Sequence, residues 1–308
     1  MPLSPEYQAM FEQLASAEPA PPLWEMTPEQ GREMYRLARP VIEELPIGNV
    51  INHDIPGPEG DIPVRIYFPA DAGSFGTLLY FHGGGWVIGD LDTCDAVCRE
   101  ISLLGNVTVL SVDYRMAPEA RYPAAVDDCY AALEWAKENE DLLKANGKLG
   151  VAGESAGGNL SAALTLKSKD LNGPKIDFQC LLYPVTDCDL TRQSYKDNGE
   201  GFLLETQSML WFWETYCPNK EQREEPYASP LRSTDLSGLP KALVVTAEFD
   251  PLRDEGEAYA KELEKTGVQV EYKCYEGMVH DFFSTAAAFE SSRVGLLETI
   301  ETIKTELS

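Results

Sequence analysis

Histidine is scarce in this chain: 308 residues contain only three, His53, His82 and His280. Any chemistry that needs an imidazole must use one of these. The seven cysteines, at 94, 98, 129, 180, 188, 217 and 274, are odd in number and scattered, unlike a disulfide framework, and fit reduced thiols. Cys94 and Cys98 lie one helical turn apart, but no second ligand pair accompanies them, so no metal site is expected. Basic residues are also under-represented, with 25 Lys and Arg against 51 Asp and Glu and a formal charge of −26. Nucleic-acid binding needs clustered Lys and Arg to displace counterions, and that class is excluded. No window approaches the roughly 18 consecutive apolar residues of a membrane-spanning helix. The start, Met1-Pro2-Leu3-Ser4-Pro5-Glu6, lacks a basic segment followed by an apolar run, so a cytoplasmic location is the expectation.

What the chain does contain is an alternation of short apolar runs and helical stretches. The segment to about Leu45 reads as two amphipathic helices, Pro5 to Ala17 and Thr27 to Glu44, separated by Pro19, Pro21 and Pro22. Thr27 is placed as N-cap, with Pro28 at the first helical position. Val50–Ile55 and Ile62–Phe68, joined by the turn-rich Gly57-Pro58-Glu59-Gly60-Asp61, predict a hairpin. Apolar runs then follow at Leu78–Phe81, Val107–Val112, Leu149–Ala152, Cys180–Tyr183, Ala242–Thr246 and Val268–Tyr275, mostly separated by helices. This pattern predicts an α/β fold around a mainly parallel sheet covered on both faces. The stretch from about Asp187 to Pro230 interrupts it and carries Phe202, Trp211, Phe212, Trp213 and Tyr216. It reads as an insertion, with a helix over Met209–Tyr216 whose apolar face covers the ligand-binding end of the sheet.

Gly153-Glu154-Ser155-Ala156-Gly157 follows one of the predicted strands and opens a predicted helix. Small residues two before and two after the serine permit a sharp strand-to-helix turn that exposes its hydroxyl as a nucleophile. The first N–H groups of the helix, Ala156 among them, face any negative charge developing there. Such a serine needs a base, a carboxylate to orient the base, and N–H donors for the oxyanion. His53 falls in the early hairpin and His82 in a glycine loop, which leaves His280, on a loop after a strand, as the base. The acid comes from Glu248-Phe249-Asp250-Pro251-Leu252-Arg253-Asp254-Glu255 after the strand Ala242–Thr246. Asp250 is preferred, since Asp254 and Glu255 are placed to favour a helix N-terminus; Glu248 and Asp254 are the fallbacks. The order serine, acid, histidine is that of α/β-hydrolases. His82-Gly83-Gly84-Gly85 directly follows the strand Leu78–Phe81, and Gly83 and Gly84 N–H, with Ala156 N–H, are the expected oxyanion hole. His82 is expected to fix the loop by hydrogen bonding.

Taken together, His82-Gly83-Gly84-Gly85, Asp113-Tyr114-Arg115-Met116-Ala117-Pro118-Glu119, Tyr122-Pro123-Ala124, Gly153–Asn159, Ser229-Pro230-Leu231, Asp250–Gly256 and His280-Asp281-Phe282 make the chain resemble the hormone-sensitive-lipase-like (bacterial family IV) carboxylesterases over nearly its whole length. The resemblance implies an α/β-hydrolase fold with an eight-stranded, mostly parallel sheet. It also implies catalytic roles for Ser155, Asp250 and His280, and a cap formed by residues 1–45 and an insertion at about 187–230 of a catalytic domain spanning 46–308. The implied activity is hydrolysis of short- to medium-chain carboxylic esters through an acyl-enzyme, on a small-molecule substrate and with no cofactor. Homodimers, often formed in the resembled family through the last strand, are a further implication. The alternatives are an amidase or peptidase using the same triad, and a non-catalytic small-ligand receptor of the same fold. Known receptors of that kind lack the catalytic histidine, whereas His280 is present here. Trp86, Trp211, Phe212, Trp213 and Phe282 are the expected lining of an apolar substrate pocket. Three positions depart from the family pattern: Met116 for leucine, Glu154 for aspartate, and Asp281 for the glycine that often follows the histidine. Asp281 places a carboxylate beside the base and is expected to favour imidazolium, raising the pH at which His280 becomes active.

Overall fold

A computed structural model describes residues 2–17, 20–39 and 45–308. Two helices come first, α1 (Pro5–Ser16) and α2 (Pro28–Leu37). Thr27 caps α2 in a full capping box, its hydroxyl accepting from Gln30 N–H while the Gln30 side chain accepts from Thr27 N–H, and Pro28 occupies the first turn. The helix predicted over 27–44 therefore ends earlier, at Leu37; residues 40–44 and Pro19 lie outside the described residues.

The remaining elements are β1 (Asn49–Gly57), β2 (Gly60–Phe68), β3 (Phe75–Phe81), α3 (Asp95–Gly105), β4 (Thr108–Val112), α4 (Ala124–Glu138), β5 (Ala145–Glu154), α5 (Ala156–Leu171), β6 (Phe178–Leu182), α6 (Gln193–Asn198), α7 (Thr206–Tyr216), α8 (Lys220–Arg223), β7 (Lys241–Phe249), α9 (Arg253–Lys265), β8 (Val270–Val279) and α10 (Glu290–Leu307). Among the described residues the eight strands form one sheet in the order β1-β2-β4-β3-β5-β6-β7-β8. The expected hairpin is β1–β2, paired from Asn49↔Phe68 to Gly57↔Gly60. β2 also runs antiparallel to β4, and every later pairing is parallel.

The central strands are apolar on both faces because both are covered; all seven residues of β3 are buried. Alternation then sorts the side chains. Leu79 and Phe81 of β3 join Leu110, Val112 and Val151 in a core beneath α4 and α5. Leu78 and Tyr80 turn the other way, into a core with Val109, Ala152 and Leu182 under α3 and α10. A third cluster seats α9 on β7 through Val244, Tyr259 and Leu263.

Register places the strand ends side by side. Phe81 of β3 is level with Gly153 of β5, and Glu154 of β5 with Leu182 of β6. The loops that leave β3, β5, β6, β7 and β8 thus emerge along one carboxyl edge of the sheet, where open α/β folds place their ligands. Among the described residues no helix is long and apolar enough to cross a membrane.

Candidate active site

Ser155 is the hinge between β5 and α5. Its backbone adopts φ 56° and ψ −115°, a strained conformation for a residue with a side chain, and it is held there by its N–H bonding Leu182 O (2.8 Å) and its carbonyl accepting from Asn159 N–H (3.0 Å). The turn is this tight because Gly157 lets α5 lie directly against the end of β3. A Cβ at Gly157 would stand 1.8 Å from Phe81 O and 2.7 Å from His82 O.

Three residues far apart in sequence meet at this turn. The Ser155 hydroxyl donates to His280 Nε2 (3.0 Å), and His280 Nδ1–H donates to Asp250 Oδ2 (2.7 Å). The other Asp250 oxygen accepts from Leu252 N–H (2.8 Å), and the carboxylate is fully buried. The Asp250 loop is held from α6, where Asn198 donates to Glu248 O (3.1 Å) and Ser194 Oγ to Pro251 O (2.6 Å). Of the competing carboxylates, Glu248 accepts from Gly277 N–H (2.7 Å) and Asp254 from Ser194 N–H (2.8 Å). Glu255 stands in the first turn of α9, as expected, but not at the surface. It is fully buried and accepts from Thr186 N–H (2.8 Å) and Tyr195 OH (3.3 Å), and burial pushes its carboxyl well above the usual range. Burial of the imidazole opposes protonation of His280, yet Asp250, with smaller contributions from Asp281 and Glu154, lifts it above the ordinary histidine value.

The glycine loop lies over Ser155. Gly84 and Gly85 take φ of 108° and 58°, conformations closed to most side chains. His82 anchors the loop: its Nδ1 lies 2.7 Å from Gly83 O, its ring stacks on Tyr114 at 4.3 Å, and the Tyr114 hydroxyl donates to His82 O (2.8 Å). Burial lowers the His82 imidazole to about 4, so it stays neutral near pH 7. Among the described residues neither Gly84 N–H nor Ala156 N–H has an acceptor. Gly83 differs from expectation, because its N–H is turned to Glu154 Oε1 at 3.5 Å, the long limit of a hydrogen bond. The buried carboxyl beneath the loop competes for that donor.

Glu154 belongs to a group of polar residues that sequence reasoning did not assemble. Tyr183, just beyond β6 at φ 36°, donates its hydroxyl to Glu154 Oε2 (3.2 Å) and sets its ring edge-on to His280 with centroids 5.1 Å apart. Arg39 pairs with Asp281, the residue after His280. Burial first, then Asp281, push Glu154 up to about 7, against the opposing effects of Arg39, Gly83 N–H and Tyr183. Glu154 stood out in sequence only as a departure from aspartate, and nothing local marked Arg39. A cavity of about 450 Å³ lies alongside, lined by Arg39, Glu154 and Phe283 and not by Ser155 or His280.

The expected aromatic pocket is only partly present. Trp86 and Trp213 have no exposed surface and pack on each other (centroids 4.9 Å apart), with Trp86 stacked on Tyr216 at 4.3 Å. Phe282 is equally buried, but on the opposite face of the sheet, against Tyr183, Tyr275 and Phe283. None of these three can touch a substrate, because their surfaces are consumed by core packing. Phe212 remains against the glycine loop, where a Cβ on Gly85 would meet its ring at 2.1 Å, and Trp211 beside it is half-buried. The helix expected over Met209–Tyr216 is thus α7, and it rests on the loop above Ser155.

A sequence profile described as α/β hydrolase fold matches residues 78–284. The carboxylic ester hydrolase LipN of Mycobacterium tuberculosis is 42% identical over 267 residues, 84% of this chain and 71% of that protein. The arylesterase of Saccharolobus solfataricus is 36% identical over 92% of this chain and 94% of its own length. Among solved structures, a hyperthermophilic esterase from the archaeon Pyrobaculum calidifontis superposes with a TM-score of 0.93 at 38% identity, covering 99% of both chains. An elbow serine, a following acid and histidine, and relatives of this closeness over most of the chain lead to one assignment: this protein belongs to the α/β-hydrolase fold family, in its hormone-sensitive-lipase-like branch.

Proposed function

We propose that this protein is a serine carboxylesterase that hydrolyses short- to medium-chain carboxylic esters. The observation that carries the reading is the continuous relay from Ser155 Oγ through His280 to Asp250, both hydrogen bonds within 3.0 Å. Ser155 attacks the ester carbonyl carbon as its proton passes to His280 Nε2. Asp250 holds the imidazole in the tautomer that presents a free Nε2 and stabilises the imidazolium that forms. The tetrahedral oxyanion is received by Gly84 N–H and Ala156 N–H, donors already fixed in place, each worth roughly 10²–10³ in rate. Collapse expels the alcohol, which takes the proton from His280. The same base then activates water to release the acid from the acyl-serine.

Residues 1–45 and about 187–230 form, in this reading, a cap over the carboxyl edge of the catalytic domain. The seat of α7 on the glycine loop supports that role, and so do the low exposures of Ser155 (9%) and His280 (7%), which favour small esters over extended chains. Names of the relatives agree, among them an ethyl acetate hydrolase from Pseudomonas putida at 38% identity over 80% of this chain. The test is release of p-nitrophenol from acetate and butyrate esters, beside the matched anilide. Ester turnover abolished in His280→Ala, with negligible anilide cleavage, is the expected result. Comparable rates on ester and anilide would reassign the enzyme as an amidase.

A further inference from the structure

We propose that Arg39, delivered by the segment that follows α2, is a positioning residue for the reaction: docked on Asp281, it cancels negative charge beside His280 and sets the base for catalysis. The inference rests on His280 being that base.

Arg39 lies two residues beyond the end of α2, so its position depends on the N-terminal segment and not on the sheet. Its side chain is 11% exposed, and the guanidinium stacks on Tyr35 at 4.0 Å, donates to the Tyr35 hydroxyl and pairs with Asp281 Oδ2. Among the described residues Arg39 Nε and Asp281 Oδ1 are buried with no further partner, so each group's main polar contact is with the other. Ordinary surface pairs contribute little because water screens them, but a buried pair beside a titrating imidazole acts at low local dielectric.

The charged and titratable groups around His280 come from five places. Asp250 is on the loop after β7, Asp281 on the imidazole's own loop, Glu154 at the end of β5, Tyr183 beyond β6, and Arg39 with Tyr35 on the N-terminal segment. Two of the carboxyl groups, Asp281 and Glu154, act on the one guanidinium. Asp250 is committed to Nδ1. Asp281 and Glu154 both act to favour imidazolium, and Arg39 is the cation set against these two carboxyl groups, paired with Asp281 and holding Glu154 down. Without the guanidinium, the Asp281 carboxyl beside His280 loses its partner, and its pull toward imidazolium goes unopposed. Neutral imidazole is the active form of a general base, so loss of the guanidinium lowers activity below the new midpoint.

The experiment is the pH dependence of kcat/KM for p-nitrophenyl butyrate in wild type, Arg39→Met, Arg39→Lys, Asp281→Asn and the Arg39→Met/Asp281→Asn double variant, with His280→Ala as control. The readout is the midpoint of the acid limb, not its height. Arg39→Met should move it to higher pH by about one unit, the order of effect of uncovering a neighbouring negative charge. Asp281→Asn should move it lower, the double variant should return it toward wild type, and Arg39→Lys should leave it near wild type. An unmoved limb in Arg39→Met, with or without a uniform loss of rate, overturns the proposal, since loss of packing alone lowers activity at every pH. If Arg39→Met does not fold, an unmoved limb in Asp281→Asn overturns it equally. Activity persisting in His280→Ala would instead sink the assignment of the base, so the two failures are distinct.

Discussion

Gly157→Ala should disable catalysis while leaving the fold in place. A Cβ there would sit 1.8 Å from Phe81 O, against backbone with no side-chain end to swing away, and contacts below 3.0 Å are not tolerated. The start of α5 and the end of β3 must therefore separate by about 1 Å. That separation lies between the elements that present Ser155 and the glycine loop, so it opens the distance between the nucleophile and Gly84 N–H. A misplacement of about 1 Å costs roughly 10² in rate, and loss of one oxyanion donor roughly 10²–10³. The expected kcat on p-nitrophenyl butyrate is thus lower by about 10² or more, with stability reduced by the roughly 1–3 kcal/mol typical of overpacking. The comparator is Gly105→Ala in α3, where the nearest atom to an added Cβ is at an ordinary 3.5 Å and neither quantity should change. A folded Gly157→Ala enzyme with wild-type kcat would refute the claim that close approach of these two elements builds the cradle.

Further outcomes separate the remaining roles. Asp250→Asn should lower kcat by about 10⁴, as when a triad carboxylate can no longer hold the tautomer, whereas Asp254→Asn should cost far less because that side chain serves Ser194 N–H; similar losses in steady-state assays would move the acid elsewhere. Phe282→Ala should destabilise by about 3–5 kcal/mol in denaturant unfolding, the range for a buried aromatic, with KM unchanged, and a raised KM would return Phe282 to the substrate pocket. The acid limb of kcat/KM should fall above about 6.5, the ordinary imidazole value, because the net shift of His280 is upward and activity is lost as pH drops through the raised value. A midpoint below that value contradicts the charge arrangement.

Features that depend on local chain geometry were legible in the sequence. Strand-to-helix turns need small flanking residues, and Gly153 and Gly157 marked Ser155; with so few histidines, position after a strand singled out His280. The boundaries that shifted did so for tertiary reasons. β8 runs to Val279 despite Gly277 because β7 pairs with it as far as Phe249↔Val279 across an irregularity. Aromatic residues were the weakest guide. Trp86, Trp213 and Phe282 look the same in sequence as pocket-lining residues, and only packing shows that other side chains cover them completely. The Arg39, Asp281, Glu154 and Tyr183 group joins four distant segments, and no spacing along the chain encodes it. Gly83 shows the same limit from the other side: its place in the glycine run is plain, but the direction of its N–H is decided by Glu154, 71 residues away.

The central claim is that Ser155 is the hydroxyl made reactive by His280. The most direct measurement is inactivation by a p-nitrophenyl dialkyl phosphate, with the adduct located by mass spectrometry of the digested protein. A single phosphoryl group on the peptide holding Ser155, formed in step with loss of activity and absent in Ser155→Ala and His280→Ala, is the predicted result. Complete inactivation with Ser155 unmodified, or a Ser155→Ala enzyme that keeps a tenth of its esterase activity, would contradict it.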